Sequence, residues 1–139
     1  PEDFMLLRIF SIVVFIPLYL LPTHVSAHHS VSAEYDTTKS NTIDGVVTRV
    51  WFRNPHVRYY ISVAGSNGEE VLWNAHGHNV SYLSQIGWTK STVKVGDKIT
   101  MMGDASRDGS PKMFIRSIKL PSGKVIINGR GNIISDASK

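Results

Sequence analysis

Apolar and polar residues alternate in short runs along most of the chain, and turn residues punctuate the runs. Thr42 to Phe52 reads as a strand, with Val46, Val50 and Phe52 on the core face and Val47, Arg49 and Trp51 on the other. Arg53-Asn54-Pro55-His56 breaks the period and predicts a turn. Val57 to Ala64 alternates cleanly: Val57, Tyr59, Ile61 and Val63 face the core, and Arg58, Tyr60 and Ser62 face out. Ser66-Asn67-Gly68 closes a hairpin onto a third strand, Glu70 to His76, with Val71, Trp73 and Ala75 inward. The period then changes. Val80, Leu83 and Ile86 recur at spacings of three, which predicts a short helix over Asn79–Ile86 capped by Asn79. Gly87 suits the left-handed residue after the helix, and Trp88 can fold back on its last turn.

Two more strands follow, Ile99 to Gly103 and Met113 to Leu120, and Pro121-Ser122-Gly123 turns into a short run, Val125-Ile126-Ile127. Three strands, one helix and two or three strands is the order of a small OB-fold-like barrel, mainly β and five- to six-stranded; a small open sandwich is the alternative. Trp73, Trp88, Tyr82 and Phe114 are expected to pack the barrel and its helix. Ser30 to Asn41 is polar with Tyr35 as its one large apolar group, and residues 28–41 are expected to form a strap without regular structure. Residues 42–128 make the barrel, and 129–139 a loose tail.

The first 27 residues behave differently. Arg8 precedes a 13-residue apolar run, Ile9 to Leu21, interrupted by Ser11 and Pro17. A bilayer span needs about 20 residues. Val25-Ser26-Ala27 has small residues where a signal peptidase reads. Residues 1–27 are therefore expected to be a signal peptide with an upstream extension, Met5 being the start, cut after Ala27. The mature chain is expected in the periplasm or outside the cell, with no membrane span.

Composition narrows the chemistry. The chain has no cysteine, so disulfides and thiolate metal sites are excluded. The net charge is +4, and the leader holds one base (Arg8) against two acids (Glu2, Asp3), so cleavage leaves +5. Such an excess favours anionic partners when it is concentrated. No spaced carboxylate pair, nucleophile elbow or phosphate loop is present, so no hydrolytic activity is expected.

Register turns the strand pattern into a map. Matching core faces pairs Val63 with Val71, Ile61 with Trp73, Tyr59 with Ala75 and Val50 with Tyr59. Arg58 then lies opposite His76 and beside Trp51, with His56 near His78. If His28 is the mature N-terminus, its amine and ring add donors. Imidazole suits copper, zinc, iron and nickel, and nitrogen donors without sulfur put copper(II) first. The candidate metal ligands are His28, His29, His56, His76 and His78. His28 can chelate through its amine, or His29 through its amide nitrogen, and both modes stay open. The second candidate is a basic-aromatic outer face of Arg49, Trp51, Arg58 and Tyr60, able to bind a periplasmic protein or an anionic ligand. Export argues against nucleic acid. A copper redox enzyme is a third reading, without a visible substrate cleft.

The pieces Ala27-His28-His29-Ser30, Asn54-Pro55-His56, Trp73, Gly87-Trp88, Gly96-Asp97 and Pro121-Ser122-Gly123, in this order, resemble a family of small exported proteobacterial proteins of unknown function. The likeness runs from about Ala27 to Ile127. It implies a signal peptide, a periplasmic location and a small β-barrel with no established activity. His28, His29 and His56 match its pattern. His76-Gly77-His78 departs from it, since the family carries an acidic residue and a small residue–Pro pair there.

Overall fold

The computed structural model describes residues 31–129. The expected leader, His28, His29 and all but the first residue of the expected tail lie outside them. Helix α1 is Val31–Glu34 and α2 is Val80–Gln85; the strands are β1 Tyr35–Trp51, β2 Arg58–Ala64, β3 Glu70–His76, β4 Lys98–Ser106, β5 Lys112–Lys119 and β6 Val125–Ile127. The sheet runs β3-β2-β1-β4-β5-β6, and β3 also pairs in parallel with β5. That last pairing closes five strands into a ring, 1-2-3-5-4-1, with α2 between β3 and β4. This is the OB topology.

The register of β2 on β3 is the one the alternation predicts: Val63 faces Val71, Ile61 faces Trp73, Tyr59 faces Ala75 and Arg58 faces His76. Tyr59, Ile61, Val57 and Ala75 are fully buried, and Trp73 and Val63 pack half-buried against them. Val71 is a correction. It is exposed because the β3 partners in β5 begin only at Asn74, so the strand's first residues extend past the closed ring.

Strand β1 holds two further corrections. It is 17 residues long and starts at Tyr35, so half of the supposed strap, residues 35–41, is strand. Its first half pairs with β4, and a register break between Asp36 and Ser40 absorbs the irregular polar stretch. A second break between Val47 and Arg49 shifts the inward face. Val47 is buried where Val46 was expected, and Val46 is exposed. Beyond the break Val50 and Phe52 pack on the core as predicted. The later strands differ only at their ends, β4 continuing to Ser106.

Helix α2 is built as its sequence reads. The Asn79 side chain accepts from the Tyr82 N–H at 2.8 Å, and the Asn54 carbonyl oxygen of the side chain accepts from Val80 N–H at 3.0 Å. The second bond ties the β1–β2 turn to the helix start. At the other end Gly87 has φ +88°, Trp88 N–H donates to Leu83 C=O at 2.9 Å and Gly87 N–H to Ser84 C=O at 3.2 Å. These are the two bonds of a Schellman ending. Trp88 and Leu83 plug the barrel beside Tyr59. Tyr82 packs half-buried over this plug, and Phe114 is buried. Among the described residues no helix is long and apolar enough to cross a membrane.

Candidate functional site

The β1–β2 pairing sets the outer face. Arg49 lies opposite Tyr60, and Trp51 opposite Arg58. Residues two apart on one strand share a face. The four side chains therefore form a checkerboard in which each arginine neighbours two rings. The Arg49 guanidinium sits 5.4 Å from the Trp51 ring and 5.4 Å from the Tyr60 ring. Arg53, from the turn, sits 4.9 Å over Trp51. The four predicted residues, with Asn54, Pro55 and His56, line one groove of about 360 Å³.

Charge is unbalanced there. The ion pairs among the described residues join Lys39 to Asp36, Lys112 to Asp108 and Arg116 to Asp104. None involves Arg49, Arg53 or Arg58, and no carboxylate lines the groove. A second groove, of about 530 Å³, is different: it has Lys98 and Lys119 but also Asp44, whose carboxylate accepts the Thr100 hydroxyl at 2.5 Å.

Arg53 was not legible as part of this face. It lies in the turn, where alternation stops and no register applies. Its closeness to Trp51 in sequence was the only available signal.

Of the histidines, His56 lines the groove and His76 and His78 do not. His76 pairs across to Arg58 and to Phe114. Its Nδ1 is hydrogen-bonded to the Tyr35 hydroxyl at 2.8 Å. His56 donates its Nδ1–H to the Gly77 carbonyl at 3.3 Å. The His78 ring packs 4.3 Å from Tyr82 and 5.1 Å from Phe114, centroid to centroid. Each imidazole thus has a packing or hydrogen-bond role. Among the described residues no three His, Asp or Glu side chains are grouped to hold a metal ion. His28 and His29 fall outside those residues, so the N-terminal half of the metal reading has no geometry. Tyr35 was missed as the partner of His76, since the two are 41 positions apart and the link depends on β1 starting early.

Burial first, then the charge of Arg58, holds the His76 pKa down, from 6.5 to about 4. Burial and nearby His56 lower that of His78. The unfolded chain takes a proton near pH 6.5 and the folded His76 only near pH 4. Between these values the unfolded state binds more protons, so stability falls as pH drops. Allowing for partial solvent access, His76 should cost about 1–2 kcal/mol across this window. Urea midpoints at pH 7.5 and 4.5 test it, and His76→Gln should remove most of the difference. An unchanged difference would show that other groups cause it. The lowered carboxylates Asp36 and Asp108 titrate below the window.

No curated protein matches the chain. Among solved structures it is similar to the mitochondrial single-stranded DNA binding protein Rim1 of S. cerevisiae. One crystal form has 18% identity and a TM-score of 0.48, covering 67% of this chain and 98% of that one. Another has 16% identity and a TM-score of 0.46, covering 66% and 96%. Residues 18–114 match the profile of the family of unknown function DUF6152. This match covers most of the chain, and the chain belongs to that family.

Proposed function

We propose that this domain is an exported binding module that takes an anionic ligand in the Arg49–Trp51–Arg58–Tyr60 groove. Export rests on the leader pattern that ends at Ala27. The observation that carries the binding role is the uncompensated charge. Two guanidiniums, from Arg49 and Arg58, line one groove, and a third, from Arg53, sits over its Trp51 ring, with no carboxylate among the lining residues and no ion pair to any of the three among the described residues. Like charges on one sheet face repel and cost stability. An incoming anion relieves that cost and gains charge-assisted hydrogen bonds.

A structural role for these residues would look different. Surface arginines that only stabilise a fold find carboxylates or carbonyls, as Arg116 and Arg107 do here. Arg116 reaches Asp104 and the Thr37 carbonyl, and Arg107 donates to the Ser32 carbonyl.

Dextran sulfate titrated into the processed protein tests the reading. Arg49→Gln or Arg58→Gln should weaken binding about tenfold each, the loss of one charged hydrogen bond. Lys119→Gln, in the second groove, should leave it within about twofold. Equal losses from all three variants would reduce the groove to general surface charge and end the proposal.

A further inference from the structure

The arrangement of guanidiniums and rings says what kind of anion the groove reads. We infer that it grips the doubly charged oxyanion end of a phosphate monoester, with Trp51 and Tyr60 holding arginines in place instead of stacking on the ligand. This rests on the anion-binding reading above and narrows it.

Arg49 has a ring 5.4 Å away on each of two neighbours, Trp51 and Tyr60. Trp51 in turn meets a second guanidinium, Arg53, at 4.9 Å. The run is Tyr60, Arg49, Trp51, Arg53: ring, cation, ring, cation. A guanidinium held over a ring makes no hydrogen bond to it. Its N–H donors lie in its plane and stay free. A planar fork of that kind matches two oxygens of a phosphate. The ring surface is in the opposite position. Trp51 already has two guanidiniums over its ring, from Arg49 and Arg53, so the platform that a nucleobase would need is in use.

Two further donors converge on the same groove. Arg58 lines it across from Trp51, and no ring is stacked on it among the described residues. Asn54 also lines it, and its side-chain oxygen is committed to Val80 N–H at 3.0 Å. That leaves the Asn54 NH₂ as a donor. The donors lining the groove are thus the Arg49 and Arg58 guanidiniums and the Asn54 amide, with the Arg53 guanidinium over the groove's Trp51 ring, and no lining carboxylate repels an oxyanion. A phosphate monoester carries about −1.5 to −2 charges at neutral pH, where a carboxylate carries one. The size fits as well. A volume of about 360 Å³ is at the small end of ligand sites, room for a head group and a sugar-sized body.

The test uses the processed protein and three probes: ribose 5-phosphate, adenosine 5′-monophosphate and adenosine. Ribose 5-phosphate and the nucleotide should bind within about threefold of each other, and adenosine not at all. A nucleotide that binds more than tenfold tighter than ribose 5-phosphate, or adenosine binding alone, would overturn the inference and leave anion binding standing. Dextran sulfate binding with neither phosphate bound would overturn the monoester assignment. Failure of dextran sulfate as well would remove the function proposed above.

A double-mutant cycle separates holding from stacking. Trp51→Ala should weaken ribose 5-phosphate binding about tenfold in the native protein. In an Arg49→Gln, Arg53→Gln background the same change should cost less than twofold, because the ring then has no arginine to position. A tenfold cost in both backgrounds would mean that Trp51 touches the ligand. Trp51 is an exposed residue, so thermal melting should confirm that the variants fold.

Discussion

Gly103→Val is expected to remove about 4 kcal/mol of stability or to prevent folding outright. A Cβ at this position would stand 2.5 Å from the Phe114 carbonyl oxygen, 2.9 Å from Met113 Sδ and 3.0 Å from the Phe114 carbonyl carbon. Two of the three are backbone atoms of β5, and they cannot swing aside as a side chain would. Gly103 pairs with Asn41 of β1 on one side and with Ile115 of β5 on the other. Any retreat of the strands therefore breaks ladder bonds in the middle of the ring. Overpacking inside a tight core usually costs about 1–3 kcal/mol, and a clash with fixed backbone belongs above that range. For a domain of this size each kcal/mol moves the melting temperature by about 4–8 °C, so a loss of roughly 15–30 °C is expected. Gly109→Ala is the control. Nothing lies within 4 Å of its added Cβ, but its φ is +73°. Only the conformational cost of about 1 kcal/mol should appear. Equal losses at the two positions would refute the steric account.

The same geometry explains which parts of the fold were readable beforehand. The β2–β3 ladder came directly from alternation, because Tyr59, Ile61 and Ala75 must face one core and a slip by one residue would turn them into water. The helix end was equally local: cap, spacing and Gly87 lie within ten positions. Strand β1 was not local. Its first half pairs with β4 on either side of a register break at Thr37, Thr38 and Lys39, which are exposed and carry no alternating signal. Only Tyr35 and Ile43 are buried there, eight positions apart. The bulge near Thr48 is invisible for a related reason, since Val46 and Val47 are the same residue type and either could face in. What the site needed was the register after that bulge, and Val50 opposite Tyr59 supplied it. The arginine–aromatic checkerboard was therefore legible. The role of His76 was not, because it depends on Tyr35 reaching it from the misread half of β1.

Trp88→Ala should cost about 3–5 kcal/mol, the usual range for deleting a large aromatic side chain from a core. Trp88 is 1% exposed and heads the largest fully buried side chains. Its ring lies 6.2 Å from that of Tyr59. The neighbours that would have to fill the gap are held by the ring of strands on one side and by the capped helix on the other. The site can collapse only slightly, which places the cost at the upper part of the range. Trp88→Phe separates volume from polarity. The indole Nε1–H has no hydrogen-bond partner among the described residues, so phenylalanine loses some packing but also relieves a buried donor. Its net cost should be about 1–2 kcal/mol. Urea unfolding of the three proteins measures both steps. A Phe variant as weak as the Ala variant would mean that the indole N–H does have a partner in solution. Because Trp51 and its arginines lie on the outer face of the same sheet, the folded fraction of either variant should bind anions with native affinity. A change in that affinity would instead show that the barrel plug and the groove are mechanically coupled through Tyr59 and its neighbours Arg58 and Tyr60.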